Sequence, residues 1–507
     1  GADVKDGRHC HRDIPHRGLG ERFGGFLGHV RLESLEPREE GLSHRIGSGF
    51  LRQALEAIKK MVENLGLDEQ FGGFGVGSLD EKIAGDFHLS DPRSDHEKNE
   101  KVVVILLLHR EANVVLHGIQ FLAQSEPISL LGQVGNVLTS GKDILADIEF
   151  FREIQDIAAV LQQIRPDIVL LNEFDYDPAS PSLLLANYLS RSQAGGKPLD
   201  YPHHFIAPSN TGVPSGVDLD RNGRIEGGND ALGFGRFPGQ YGMLVLSRWA
   251  IDTHTSRTFR RFLWRDMPNN LIPPQWYSPE ALAVLPLSSK SHWDVVIRLP
   301  DTQQETQPES PHELHLLASH PTPPGFDGPE DRNGRRNHDE IRLWADYLSG
   351  GSKAAYLIDD QGRSGGLARD ASFVIVGDLN ADPIDGGSVP GAIAQLLDHP
   401  RVHREVAGGS LIPRSQGGTA AAERQGGPNL THRGDPAFDT GDFDDRAGSV
   451  GNLRVDYVLP SADMTVCASG VVWPTEETGP AMSSDHRLVW VDVAMPGQGC
   501  PSVSSKP

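Results

Sequence analysis

The sequence predicts an α/β sandwich built on mixed β-sheets, on three observations. Apolar runs rich in Val, Ile and Leu recur at strand length, helical periodicities fall between them, and several strands follow closely enough to pair as hairpins. Acidic residues also stand at the ends of three of these runs. They close Ile168-Val169-Leu170-Leu171-Asn172-Glu173 and Phe373-Val374-Ile375-Val376-Gly377-Asp378-Leu379-Asn380, and Ser484-Asp485-His486 leads into Leu488–Val493. A carboxylate at a strand end faces a crevice rather than the core.

Taken in order, residues 1 to 100 carry no recognisable chemistry and read as an extension or small domain. Within them Leu51, Leu55, Ile58, Met61, Val62 and Leu65 fit a helix from Phe50 to Leu65. His9, Cys10, His11 and His16 read as a flexible terminus rather than a metal site. Residues 101–497 form the main domain and 498–507 a tail. Val102–Leu108 and Val114–Leu122 read as strands. A helix from Asp143 to Ile164 buries Ile154, Ile157, Leu161 and Ile164, and stops at Arg165-Pro166 because Pro disfavours helix in its predecessor. The strand ending at Glu173 follows at once. Further strands are expected at Tyr241–Ser247, Trp293–Leu299, Leu314–Ser319, Leu453–Leu459 and Leu488–Val493, and a helix at Asn337–Leu348. Gly/Pro/Asp-rich insertions at about 178–230, 300–312, 321–337 and 405–450 separate them, and loops this long are usually functional or disordered.

Composition narrows the function. The 507 residues carry a formal charge of −22, which opposes a broad electrostatic grip on long nucleic acid. A bound cation supplies local positive charge, so a nuclease stays open. No apolar stretch is long enough to span a bilayer. Cys10, Cys467 and Cys500 are too few for a disulfide framework, although a pair such as Cys467–Cys500 suits an oxidising compartment. The chain opens at Gly1 with no signal-like stretch, and the expected setting is secreted or periplasmic.

The acidic strand ends carry the chemistry. Glu173 offers oxygen to a hard cation such as Mg²⁺ or Mn²⁺. Asp378 and Asn380, two residues apart after Gly377, leave one strand face together and position a water and a phosphate oxygen. Ser484-Asp485-His486 sets a carboxylate beside an imidazole suited to general-base work. Asp456, in Arg454-Val455-Asp456-Tyr457, is the candidate to orient it. His320 ends the strand Leu316-Leu317-Ala318-Ser319 and is placed to donate to a phosphoryl oxygen.

These pieces, in this order over roughly residues 115–495, resemble the endonuclease/exonuclease/phosphatase superfamily, the deoxyribonuclease-I-like fold. The resemblance implies a four-layered α/β sandwich of two mixed β-sheets flanked by helices, with the site at the rim between the sheets. It implies Glu173 as Mg²⁺ ligand with Asp485 near the metal, Asp378 and Asn380 aligning water and phosphate, His486 as base paired with Asp456, and His320 as the phosphate-binding or acid histidine. The family also places an Asn at the end of its first strand. With that strand at Gly118–Gln124 the position holds Ala123, leaving a different register, substitution by Gln124 or Asn136, or reduced metal affinity as alternatives.

A separate signal lies at Asp218-Leu219-Asp220-Arg221-Asn222-Gly223-Arg224-Ile225-Glu226. Its oxygens alternate, with Gly sixth and an apolar residue eighth, like the start of a calcium loop. The twelfth position is Asn229 and Asp230 follows, so a structural Ca²⁺ on Asp218, Asp220, Asn222, Glu226 and Asp230 is expected. Arg236 and Tyr241, flanking Phe237-Pro238-Gly239-Gln240, are expected to line the substrate cleft. Arg332, Arg335 and Arg336 read equally as an anion clamp or a solvated loop. The function expected is a divalent-metal-dependent phosphoester hydrolase, phosphodiesterase- or nuclease-like, acting on a small molecule or nucleotide. A phosphate-scavenging phosphomonoesterase and a non-catalytic binding protein retaining the fold are the alternatives.

Overall fold

The computed structural model describes residues 100–107, 141–300, 312–474 and 484–500, all within one compact unit, Arg93–Pro507. The expected helix at Phe50–Leu65, the His9/His11/His16 group, the strand at Val114–Leu122 and the positions Ala123, Gln124 and Asn136 lie outside the described residues.

Eleven strands are seen among the described residues, in two sheets. One sheet contains β1 (Glu100–Leu107), β2 (Ile168–Asn172), β3 (His203–Phe205), β4 (Met243–Ser247), β10 (Thr465–Val472) and β11 (Leu488–Ala494). The other contains β5 (Ala250–Thr258), β6 (His292–Leu299), β7 (His312–Ser319), β8 (Ser372–Asp378) and β9 (Asp456–Pro460). Their orders are β10-β11-β1-β2-β4-β3 and β5-β6-β7-β8-β9. Both sheets are mixed: β1 runs parallel to β2 and antiparallel to β11, while among the described residues β7 and β8 form the one parallel pair of the second sheet.

Strand alternation sorts the core into layers. In the first sheet Ile168, Leu170, Met243 and Val245 share a core with Val295, Ile297, Leu316 and Val374 of the second. The intervening Val169, Leu171, Leu244 and Leu246 pack with Ile157, Val160 and Leu161 of helix α1 (Gly141–Ile164). On the far face of the second sheet lies α2 (Arg332–Ser349), whose Trp344 donates from Nε1 to Ser319 Oγ at 2.9 Å. Helix, sheet, sheet and helix make the four-layered sandwich expected.

The two sheets aim residues into the gap between them. Because Ser319 turns toward α2, the neighbouring His320 turns the other way, toward the first sheet. In β8, Asp378 follows the parity of Val374 and sits opposite Asp456 of β9 in the ladder. Beside β2 the strand that pairs in parallel is β1, with Leu107 opposite Asn172. The first strand expected at Gly118–Gln124 lies outside the described residues. In the described sheet its place next to β2 is taken by the earlier apolar run. Cys467 of β10 is disulfide-bonded to Cys500, in the segment read as a tail. No helix among the described residues is long and apolar enough to cross a membrane.

Candidate active site

A cleft of about 970 Å³ opens at the rim between the sheets, and its walls include Glu173, His320, Asp378, Asn380, Asp485 and His486. These residues come from segments more than 300 positions apart, so their meeting is a product of the sandwich. Asp456 completes the set from behind: its Oδ2 lies 2.9 Å from His486 Nδ1. Asp378, Asp456 and His486, all buried, bring one ligand atom each within 4.8 Å of one another.

Local backbone explains two placements. Glu173 follows β2 with φ of 54°, which breaks strand alternation. Asn380 has φ of 50°, so it does not leave the strand face by simple alternation with Asp378, as the sequence suggested. The strand ends at Asp378 instead, and the chain folds back. Asn380 donates its backbone N–H to Asp378 Oδ1 at 2.8 Å and its side-chain amide to Oδ2 at 3.0 Å. The pair is held by these bonds in an Asx-type turn.

Charge is concentrated here. Burial disfavours the His486 imidazolium, but the charge and hydrogen bond of Asp456, with Asp378 and Asp485, outweigh it and raise its pKa to about 10. His320 goes the other way: burial, then the positive charges of Lys290 and His486, hold it well below its usual range. Its Nε2 lies 3.4 Å from Asp378 Oδ2, so it is a neutral imidazole beside a carboxyl group. Burial raises Asp378 to about 7, with Asp456 adding to this and His486 opposing it. Phe443 lays an edge against the His486 ring at 5.1 Å.

The donor set suits a hard cation. Its members are mainly carboxylates, and Asp456 Oδ1 is buried without a hydrogen bond among the described residues. Glu173 and the exposed Asp485 line the same cleft. The group whose ligand atoms converge at this cleft is Asp378–Asp456–His486, and Glu173 and Asp485, the metal residues that the resemblance implies, are not part of it.

The other expected residues divide. Tyr241 is buried and lines an adjoining cavity together with Glu173. Arg236 is exposed and lines neither cavity, since its segment turns outward. In the 218–230 loop, Asp218, Asp220 and Asp230 converge within 4.8 Å. Asp230 also accepts the backbone N–H groups of Leu219 and Glu226. Asn222 instead donates to Asp220, and the exposed Glu226 side chain pairs with Arg224 at 3.1 Å. Arg336 is buried and donates to the carbonyls of Leu287, Pro286 and Leu232, which makes it a structural residue rather than a mobile clamp. Sequence reasoning missed Phe443 and Lys290, neither of which belongs to a local pattern.

The family model described as Endonuclease/Exonuclease/phosphatase family matches residues 147–486. The chain belongs to that family, and by class it is a phosphoester hydrolase. Among solved structures it is similar to an endonuclease/exonuclease/phosphatase from Beutenbergia cavernae, at 17% identity and TM-score 0.38 over 68% of this chain and 66% of that one. It is also similar to a mannosyl-6-phosphatase of Bacteroides thetaiotaomicron, at 11% identity and TM-score 0.34 over 70% and 96%. A third is sphingomyelinase C of Streptomyces griseocarneus, at 15% identity and TM-score 0.32 over 67% and 91%. No curated protein matches the chain.

Proposed function

We propose that the protein is a divalent-cation-dependent phosphodiesterase-like hydrolase in which His486 is the general base. The observation that carries this is the Asp456–His486 pair, 2.9 Å apart, at the wall of a cleft that also holds Glu173, His320, Asp378 and Asn380. Asp456 holds Nδ1, so that once the ring is neutral its free Nε2 takes a proton from the attacking water. His320, kept neutral, donates a hydrogen bond to a phosphoryl oxygen. The amide of Asn380 adds a second donor as negative charge builds on the equatorial oxygens. Asp378 orients the water through its turn with Asn380. Glu173 and Asp485 are the residues that would hold Mg²⁺ or Mn²⁺, which supplies positive charge against the phosphoryl oxygen and offsets the carboxylate field on His486.

Residues 101–497 form the catalytic domain in this reading, and the Cys467–Cys500 bond supports a secreted or periplasmic setting. The Asp218–Asp220–Asp230 cluster is proposed to take a structural Ca²⁺ that orders its insertion. Turnover of bis-p-nitrophenyl phosphate and p-nitrophenyl phosphate with Mg²⁺ or Mn²⁺, lost on chelation, tests the main reading. Diester cleavage supports it, and exclusive monoester cleavage replaces it with a phosphomonoesterase. No turnover by folded protein with any divalent cation sinks it.

A further inference from the structure

Next to the catalytic cleft lies a second cavity of about 460 Å³, and the two share Glu173, Pro323 and Phe326. Tyr241 and Tyr277 give it aromatic surface, Ser289 and Thr322 hydroxyls, and Lys290 a cation. Lys290 is only 7% exposed, and among the described residues its ammonium makes no hydrogen bond. Glu340, Glu173 and Asp378 act on it only through space. Glu340 is otherwise engaged, since its two oxygens accept the backbone N–H groups of Ser289 and Thr322 at 2.6 Å each. The hydroxyls of Ser289 and Thr322 are buried without partners among the described residues. A buried cation and two unsatisfied donors beside an aromatic wall describe a site for an anion that the catalytic residues do not use.

We propose that this cavity receives a second oxyanion, a phosphate or carboxylate carried by the organic group of the phosphoester. Lys290 pairs with it, and Ser289 and Thr322 turn about χ1 to donate to it. The inference rests on the phosphoesterase reading and narrows its substrate class to esters bearing a further negative charge.

The test compares kcat/KM for matched substrates with and without that charge. Fructose 1,6-bisphosphate against fructose 6-phosphate reports a second phosphate. 3-Phosphoglycerate against glycerol 3-phosphate reports a carboxylate. If only diesters are cleaved, adenylyl-adenosine with and without a 5′-phosphate serves. The wild type is expected to prefer the doubly charged member roughly tenfold or more in at least one pair. Lys290→Met brings that ratio to about one and Lys290→Arg keeps most of it. Should Lys290→Met not fold, Thr322→Val lowers the ratio about threefold instead. A flat ratio in the wild type, or an unchanged ratio in Lys290→Met, means that Lys290 only balances Glu173 and Glu340, and overturns this inference alone. Absence of all phosphoester turnover overturns the parent reading and this one together.

Discussion

His486 works against two pressures: burial that favours a neutral ring and three carboxylates that favour a charged one. The proposed base needs the neutral ring with its free nitrogen aimed at water, and the Asp456 hydrogen bond to Nδ1 would fix that aim. His486→Ala is expected to lower kcat by about 10²–10⁴-fold, the usual scale for a lost general base. Asp456→Asn should cost somewhat less, because the ring survives and only its tautomer and orientation suffer. A His486→Ala variant that folds normally and keeps most of its turnover would refute the assignment. A second carboxyl group behaves oppositely to an ordinary surface acid. Burial first, then the charges of Asp382, Asp385 and Asp435, raise Asp439 to about 8. Its folded-state pKa lies above its unfolded value, so its stabilising contribution is complete below about pH 4 and is lost as pH rises through about 8. Asp439→Asn should therefore raise the Tm at pH 8.5 by a few degrees and flatten its fall with pH. Equal pH slopes for variant and wild type would dismiss the idea.

Between β7 and β8 there is no room for a side chain at Gly377, where a Cβ would come within 1.9 Å of the Ser319 carbonyl oxygen. The adjoining residues are His320 and Asp378, so the spacing of two strands is also the spacing of two site groups. Gly377→Ala is expected to destabilise the fold by about 2–4 kcal/mol, and to lower turnover even where the protein remains folded, measured by thermal unfolding and kinetics together. Central strands were legible in sequence because both faces are covered, which forces continuous apolar runs such as Phe373–Val376. The strands left unread, β3, β5 and β10, all lie at sheet edges. An edge needs no such run: β5 is mostly polar Asp252–Arg257, and β10 carries Ser469 and Gly470. The site divides the same way. Glu173, His320, Asp378, Asp456 and His486 stand in short motifs at strand ends. Phe443 reaches the cleft, and Lys290 the cavity beside it, only through tertiary packing, and neither leaves a local mark.

Across the whole molecule, the Cys467–Cys500 bond closes a loop with a sequence separation of 33. Reduction should lower stability by roughly 2–4 kcal/mol, seen as a lower Tm with turnover at moderate temperature retained. Saturating Ca²⁺ should raise the Tm, and Asp230→Asn should abolish the gain. An unchanged Tm with Ca²⁺ would leave the 218–230 loop as an acidic turn only. The first sheet also has a consequence for how the protein is made. In it, β11 lies between β10 and β1, although it follows every other described strand along the chain. A nascent polypeptide emerging from the ribosome must therefore keep the edge of β1 unfilled until that segment arrives, directly behind His486. Such late insertion depends on partners nearly 400 positions apart, which favours slow maturation and a need for chaperones. On the proposed mechanism, nascent chains that lack this strand should show no turnover.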